Sequence, residues 1–249
     1  KTQAGGDYYY SYGEGLFIVL NTNNYNVAEH QKTIEEAVKA YPDAKWRIVT
    51  IHQDIYGSGL DHSDTDGMIL RTQLTPVFDA NDIDVVLQGH DHTYSRSKIL
   101  YGDGKSHGSY EFRLDETGLD YDWDHAYNNN TGESITLNPL SSDTAAVEAK
   151  DAFTADNKCY TIESSGKSVV TNPKGTLYMT ANSASGSKYY ELINSQQDYI
   201  EVRSQNWLPS YSVIDLTKDD FKITTYQITD EGKVENIDNT FTIHKTVNR

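Results

Sequence analysis

The side chains best suited to chemistry are histidines that end apolar runs. His52 follows the stretch RIVTI (47–51), and His90 and His92 follow IDVVLQG (83–89). Ligand sites in α/β sheets gather at the carboxyl ends of strands, and imidazole is the commonest metal ligand. Gly89 allows a sharp turn off its strand, so both imidazoles of His-x-His can aim at one place. Three histidines so placed, two of them in Gly-His-x-His, point to a metal site rather than to ordinary loop residues.

The elements that must hold them can be read from apolar spacing. Leu16–Leu20 is a short continuous apolar run, as expected of a strand buried on both faces. Val27–Tyr41 has near-helical spacing and is rich in Glu, Gln, Lys and Ala, and Pro42-Asp43 stops it. Trp46–Ile51 is a second buried run. The order strand, helix, strand marks an α/β domain. A loop from Gln53 to Gly67 then carries Gly57, Gly59 and Gly67 among the acids Asp54, Asp61, Asp64 and Asp66. Met68–Ala80 is expected to be helical, with Pro76 able to kink or split it. Ile83–Leu87 is a third buried strand.

The texture changes near Tyr101. Residues 101–165 hold 13 acids and four bases, which is −9 of the chain's net −16. Residues 101–172 are therefore expected to form an acidic insertion outside the main sheet, with short helices near Ala145–Phe153. Asp115, Glu116, Asp120, Asp122 and Asp124 cluster hard oxygen donors without the spacing of an EF-hand, and such a charge run reads as a solvated face. Strand patterns return at Thr176–Thr180, Tyr211–Asp215, Phe221–Ile228 and Thr240–His244. The second and third of these should pair as a hairpin across 217–220.

Whole-chain composition narrows the partners. The chain has 249 residues, with 21 basic against 37 acidic side chains. A surface this acidic argues against nucleic acid or an anionic membrane. It leaves room for a phosphorylated substrate where a metal supplies local positive charge. One cysteine, Cys159, excludes an intrachain disulfide framework and a cysteine-based zinc cluster. No apolar run is long enough to span a membrane. The polar, acidic composition leans toward an extracellular or cell-surface location.

Together these segments resemble a known family. WRIVTIHQ (46–53), DGMILR (66–71) and DVVLQGHDHTYSR (84–96) look like the second half of a calcineurin-like metallophosphoesterase. The form Gly-His-x-His-x-Tyr-x-Arg, here Gly89, His90, His92, Tyr94 and Arg96, resembles the purple acid phosphatase branch. YSYGEGLFIVLNTN (10–23) and Glu29-His30-Gln31 fit that branch too. GTLYMTANSASGSKYY (175–190) and PSYSVIDL (209–216) resemble the closing strands of bacterial members.

The resemblance implies an α/β fold, part of a metallophosphatase-type α/β/β/α sandwich with mixed sheets. Residues 1–100 would be the second half of the core, 101–172 the acidic insertion, and 173–249 the closing strands. It implies a secreted hydrolase of phosphomonoesters with a dinuclear centre of iron, zinc or manganese. His52 and His90 would ligate one metal and His92 the other. His62 would contact substrate and protonate the leaving group. Asp91, Tyr94 and Arg96 would support the site or the substrate.

The family's first half, with its Gly-Asp and Gly-Asn-His motifs, is not recognisable. Gly102-Asp103 is a Gly-Asp pair, but it follows no buried strand. The chain is thus expected to be a C-terminal portion with little activity alone. The missing half, or a partner chain, is expected to cover an apolar face and to add strands beside Leu16–Leu20 and Ile83–Leu87. The competing reading is a non-catalytic surface or binding module that keeps part of the metallophosphatase frame.

Overall fold

The computed structural model describes residues 6–60, 66–119, 121–122, 125–137 and 139–246. The chain opens with a hairpin of β1 (Tyr8–Tyr12) and β2 (Gly15–Val19). Helix α1 (Val27–Ala40) crosses to β3 (Trp46–Thr50), and α2 (Asp66–Ala80) crosses to β4 (Val85–Gln88). Pro76 sits within α2 without ending it. β5 (Tyr94–Ser97) and β6 (Ile99–Gly102) follow.

A small antiparallel sheet is built from β7 (Tyr110–Glu111), β8 (His125–Asn128) and β9 (Ser134–Thr136), and α3 (Thr144–Asp156) comes next. The Asp143 side chain caps α3 by accepting from the Ala146 N–H. β10 (Tyr160–Ser164) pairs with β6, and β11 (Val169–Thr171) later joins the last strand of the chain. The remaining strands are β12 (Leu177–Thr180), β13 (Ile200–Ser204), β14 (Ser210–Leu216), β15 (Asp220–Ile228) and β16 (Val234–His244).

The main sheet has seven strands in the order β1-β2-β3-β4-β12-β5-β13. β2, β3, β4 and β12 run parallel, and β1 and β5 run against them, so the sheet is mixed. A second sheet has the order β11-β16-β15-β14. Strand alternation divides the core between the two faces. Val49, Val86 and Tyr178 face the helices, where Ile34, Ala37, Leu70, Leu74 and Phe78 meet them. Trp46, Ile48, Val85, Leu177 and Met179 face the second sheet and pack on Phe221, Ile223, Phe241 and Ile243. A third cluster joins Phe112, Ala126, Ile135, Leu137 and Phe153 to Met68 and Ile69 of α2. It seats the small sheet and α3 on the main body.

Buried polar contacts hold the two large sheets in register. Asp238 on β16 accepts from the Tyr94 hydroxyl at 2.6 Å and from Arg96 Nε at 2.6 Å. Lys245 pairs with Asp84 at 2.6 Å, donates to Lys45 O, and lies 4.4 Å from the Trp46 ring.

The expectation of missing strands beside Leu16–Leu20 and Ile83–Leu87 is corrected. β2 lies between β1 and β3, and β4 lies between β3 and β12, so neither is an edge. A local hairpin fills one side, and a strand from far along the chain fills the other. The exposed aromatic row is instead on β1, where Tyr8, Tyr10 and Tyr12 are all exposed and Tyr10 stacks on Phe17 of β2.

Asp238→Ala strands Tyr94 and the Arg96 charge between the sheets, and should cost about 3–5 kcal/mol in chemical denaturation. Asp79 accepts from the Gly102 N–H at 2.8 Å, joining α2 to β6. Burial raises its pKa from 3.8 to about 6, against the pull of that N–H. The folded state therefore holds the proton more tightly than the unfolded one. Stability should fall as pH rises from about 4 to 6, by about 1–2 kcal/mol. Asp79→Asn should remove that slope in urea midpoints measured across the window, and an unchanged slope would refute the assignment.

Candidate functional site

The parallel strands β3, β4 and β12 deliver their carboxyl ends to one edge. His52 leaves β3, Gly89 and His90 leave β4, and Thr180 ends β12. Backbone hydrogen bonds zip the first two exits together, from Ile51 N to Leu87 O and from Gly89 N to His52 O, each 3.0 Å. The result brings His52 Nε2 within 3.1 Å of His90 Nδ1, with ring centroids 4.8 Å apart.

The residue that makes the sharp turn is His90, not Gly89. His90 has φ of 67°, in the left-handed region, whereas Gly89 is not among the positive-φ glycines. Such a conformation is uncommon and costly for a non-glycine residue, and it tends to occur at functional sites.

The surrounding loops lock His52. Its N–H donates to Thr22 Oγ1 at 3.2 Å, and the Thr22 hydroxyl donates to Gln53 Oε1. Thr22 lies in the segment after β2, so the β2 exit joins the same edge. His92 is held separately. Its Nδ1 lies 2.9 Å from Lys188 O, and its ring packs on Tyr190 with centroids 5.0 Å apart. A carbonyl accepts only from a protonated Nδ1, so Nε2 is the basic nitrogen of that ring. This is the arrangement that fixes the tautomer of metal-ligating histidines.

Beneath the histidines lie two buried carboxylates. Asp54 accepts from Gln88 Nε2 at 2.5 Å and from the Thr180 hydroxyl at 2.9 Å, and it lies beside Asp91. Burial first, then the Asp91 charge, raises the Asp54 pKa well above the usual carboxylate range. Asp91 accepts from the Gly59 N–H at 2.7 Å. It is 1% exposed, so it is a buried structural carboxylate beside the histidines. Three glycines let the backbone press on this pair. A Cβ on Gly57 would overlap the Asp54 carboxylate, one on Gly59 would overlap Asp91, and one on Gly67 would overlap Asp54 O.

Tyr94 and Arg96 are committed to Asp238 between the sheets. His62 lies outside the described residues, as do Asp120 and Asp124 of the acidic cluster. Asp122 of that cluster accepts from the Tyr127 hydroxyl and lies 2.9 Å from His125 Nδ1. Sequence reasoning did not find Asp54, Gln88 and Thr180 as one network. The available signal was the pair Gly57 and Gly59 close behind an aspartate.

The histidine pair can be tested for a metal on its own geometry. Two nitrogens 3.1 Å apart, each about 2.0–2.1 Å from one ion, subtend roughly 100° at it. That lies between the tetrahedral and octahedral angles, so the pair fits two ligands of a single ion. Among the described residues no group of three histidine, cysteine or acidic side chains is placed to hold a metal.

Comparison with known proteins identifies the fold. No protein-family model matches the chain, and no curated protein matches its sequence. Among solved structures, the purple acid phosphatase PPD1 from yellow lupin (Lupinus luteus) seeds is similar over 96% of this chain, with a TM-score of 0.53 and 12% identity. The match covers 32% of the lupin chain, so the present chain spans about a third of that protein's length. GAP50, the anchor in the inner membrane complex of Plasmodium, aligns with a TM-score of 0.45 and 13% identity over 94% of this chain and 53% of its own. PhoD aligns with a TM-score of 0.41 and 9% identity over 94% and 44%. The fold is that of a metallophosphatase, with mixed sheets and helices on one face.

The glycines give a direct test. Gly57→Ala should destabilise by more than about 2 kcal/mol, because neither the backbone nor the buried carboxylate can yield. Gly89→Ala should stay within about 1 kcal/mol, since nothing lies nearer than 3.6 Å to the added Cβ. Equal losses in thermal unfolding would show that the crowding is not what the loop depends on.

Proposed function

We propose that this chain carries the histidine side of a metal-dependent phosphoesterase site. The observation that supports this reading is the 3.1 Å approach of His52 and His90 at the ends of adjacent parallel strands. In this reading the pair holds one divalent ion, and His92, with its tautomer fixed by Lys188 O, serves a second. An ion there supplies a Lewis acid toward phosphoryl oxygens. Zinc, iron and manganese are the candidates, and phosphomonoesters are the substrates. His62, ten residues beyond His52, is the candidate donor of the leaving-group proton.

The chain's own contribution is positional. The Thr22 hydroxyl and the Gly89 N–H orient His52, and the left-handed turn at His90 brings its Nδ1 to face it. The buried Asp54 and Asp91 hold both loops from below. The site needs further ligands to grip a second ion, because two dications at close range repel strongly. Two histidine nitrogens alone would hold one ion weakly, and this reading therefore expects little turnover by this chain alone. In that form it acts as a binding frame for a single ion.

Zinc titration followed through histidine NMR signals tests the reading. One equivalent should shift His52 and His90, and His52→Ala or His90→Ala should weaken binding by about tenfold or more. Hydrolysis of an aryl phosphate with added zinc, iron or manganese should be slow. Binding indifferent to both substitutions would overturn the assignment.

A further inference from the structure

A cavity of about 500 Å³ opens between α2, α3, β10 and the segment before β13. Arg71 of α2 lines it and is only 4% exposed. Its Nε donates to Ile55 O at 2.5 Å. Its guanidinium lies against two aromatic rings, 4.6 Å from the Tyr56 centroid and 5.1 Å from the Tyr199 centroid. Tyr199 is itself fixed, because its hydroxyl donates to Gly57 O at 2.9 Å.

A guanidinium is always charged, and burying a charge is costly unless it is paired. Aromatic faces offset part of that cost. Among the described residues no carboxylate stands at ion-pair distance from Arg71, although the buried Asp54 lies within its electrostatic reach. The acids that line the cavity are otherwise placed. Asp198 is held by Lys158 Nζ at 2.6 Å and by the Tyr160 hydroxyl. Asp151 is exposed on α3. Lys150, half-buried on the same helix, adds a further cation. Three cations against two carboxylates make this cavity locally positive on a chain of net charge −16.

We propose that this cavity binds a small organic anion. Its carboxylate or phosphate group pairs with Arg71 and Lys150, and its ring or apolar part lies on Tyr160 and Tyr199. The planar fork of arginine matches either oxyanion with two parallel hydrogen bonds. The volume suits a metabolite-sized ligand. The occupant would add a counter-charge directly against the Arg71 guanidinium.

The experiment is calorimetric and NMR titration of the full chain with benzoate and, separately, with inorganic phosphate. At least one probe should bind saturably below roughly 20 mM, and the two arms separate a carboxylate ligand from a phosphate one. Arg71→Lys and Lys150→Glu should each weaken it about tenfold. His90→Ala should leave it unchanged, which separates this site from the histidine pair. Lys150→Glu, at the half-buried rim, keeps the test decisive where Arg71→Lys fails to fold. Three results would overturn the proposal: no saturable binding of either probe, affinity unchanged in Lys150→Glu, or affinity lost in His90→Ala.

Discussion

The histidine edge depends on two carboxylates, Asp54 and Asp91, buried together beneath it. Burial and the neighbouring Asp91 charge hold the Asp54 pKa well above the usual carboxylate range. Asp91, in the loop after β4, ties down the loop after β3 by accepting from the Gly59 N–H. Gln88 and Thr180 join Asp54 to the ends of β4 and β12, so three strand exits answer to one network. The glycines at 57, 59 and 67 exist in this arrangement to let the main chain close over it. His52 and His90 meet above this floor.

A second constraint acts between the sheets. Tyr94 and Arg96 follow the histidines on β5, yet both turn to Asp238 on β16. The motif therefore serves two ends. Its first residues face the strand-end edge, and its last residues weld that edge to the second sheet. A shift of β5 along its neighbours would move His92 and break the Asp238 contacts together.

Much of this was legible in the sequence where chemistry was local. Runs such as Trp46–Ile51 and Ile83–Leu87 announce buried parallel strands, and the histidines at their ends follow directly. What stayed hidden was set by tertiary contact. β1, with sequence YYYSY, and β5, with YSRS, lack the apolar run that marks a buried strand. Asp238 lies 142 residues from Arg96, and no local pattern joins them. Sequence favours Gly89 for the sharp turn that His90 makes, because glycine is the usual bearer of a left-handed conformation. The neighbours of β2 and β4 could not be read either, since strand order is not written in apolar spacing.

The place of β12 sets a timetable for folding. It lies between β4 and β5, yet it is made some eighty residues after them. β4 and β5 do not pair with each other and meet only through this later strand. Pairings across so long a stretch of chain carry a loop-closure cost that slows folding and lengthens the exposure of sheet edges. The acidic stretch spun out during that delay carries a charge of −9 over residues 101–165. Its repulsion between chains would act as a built-in guard against sticking while the sheet waits for its central strand.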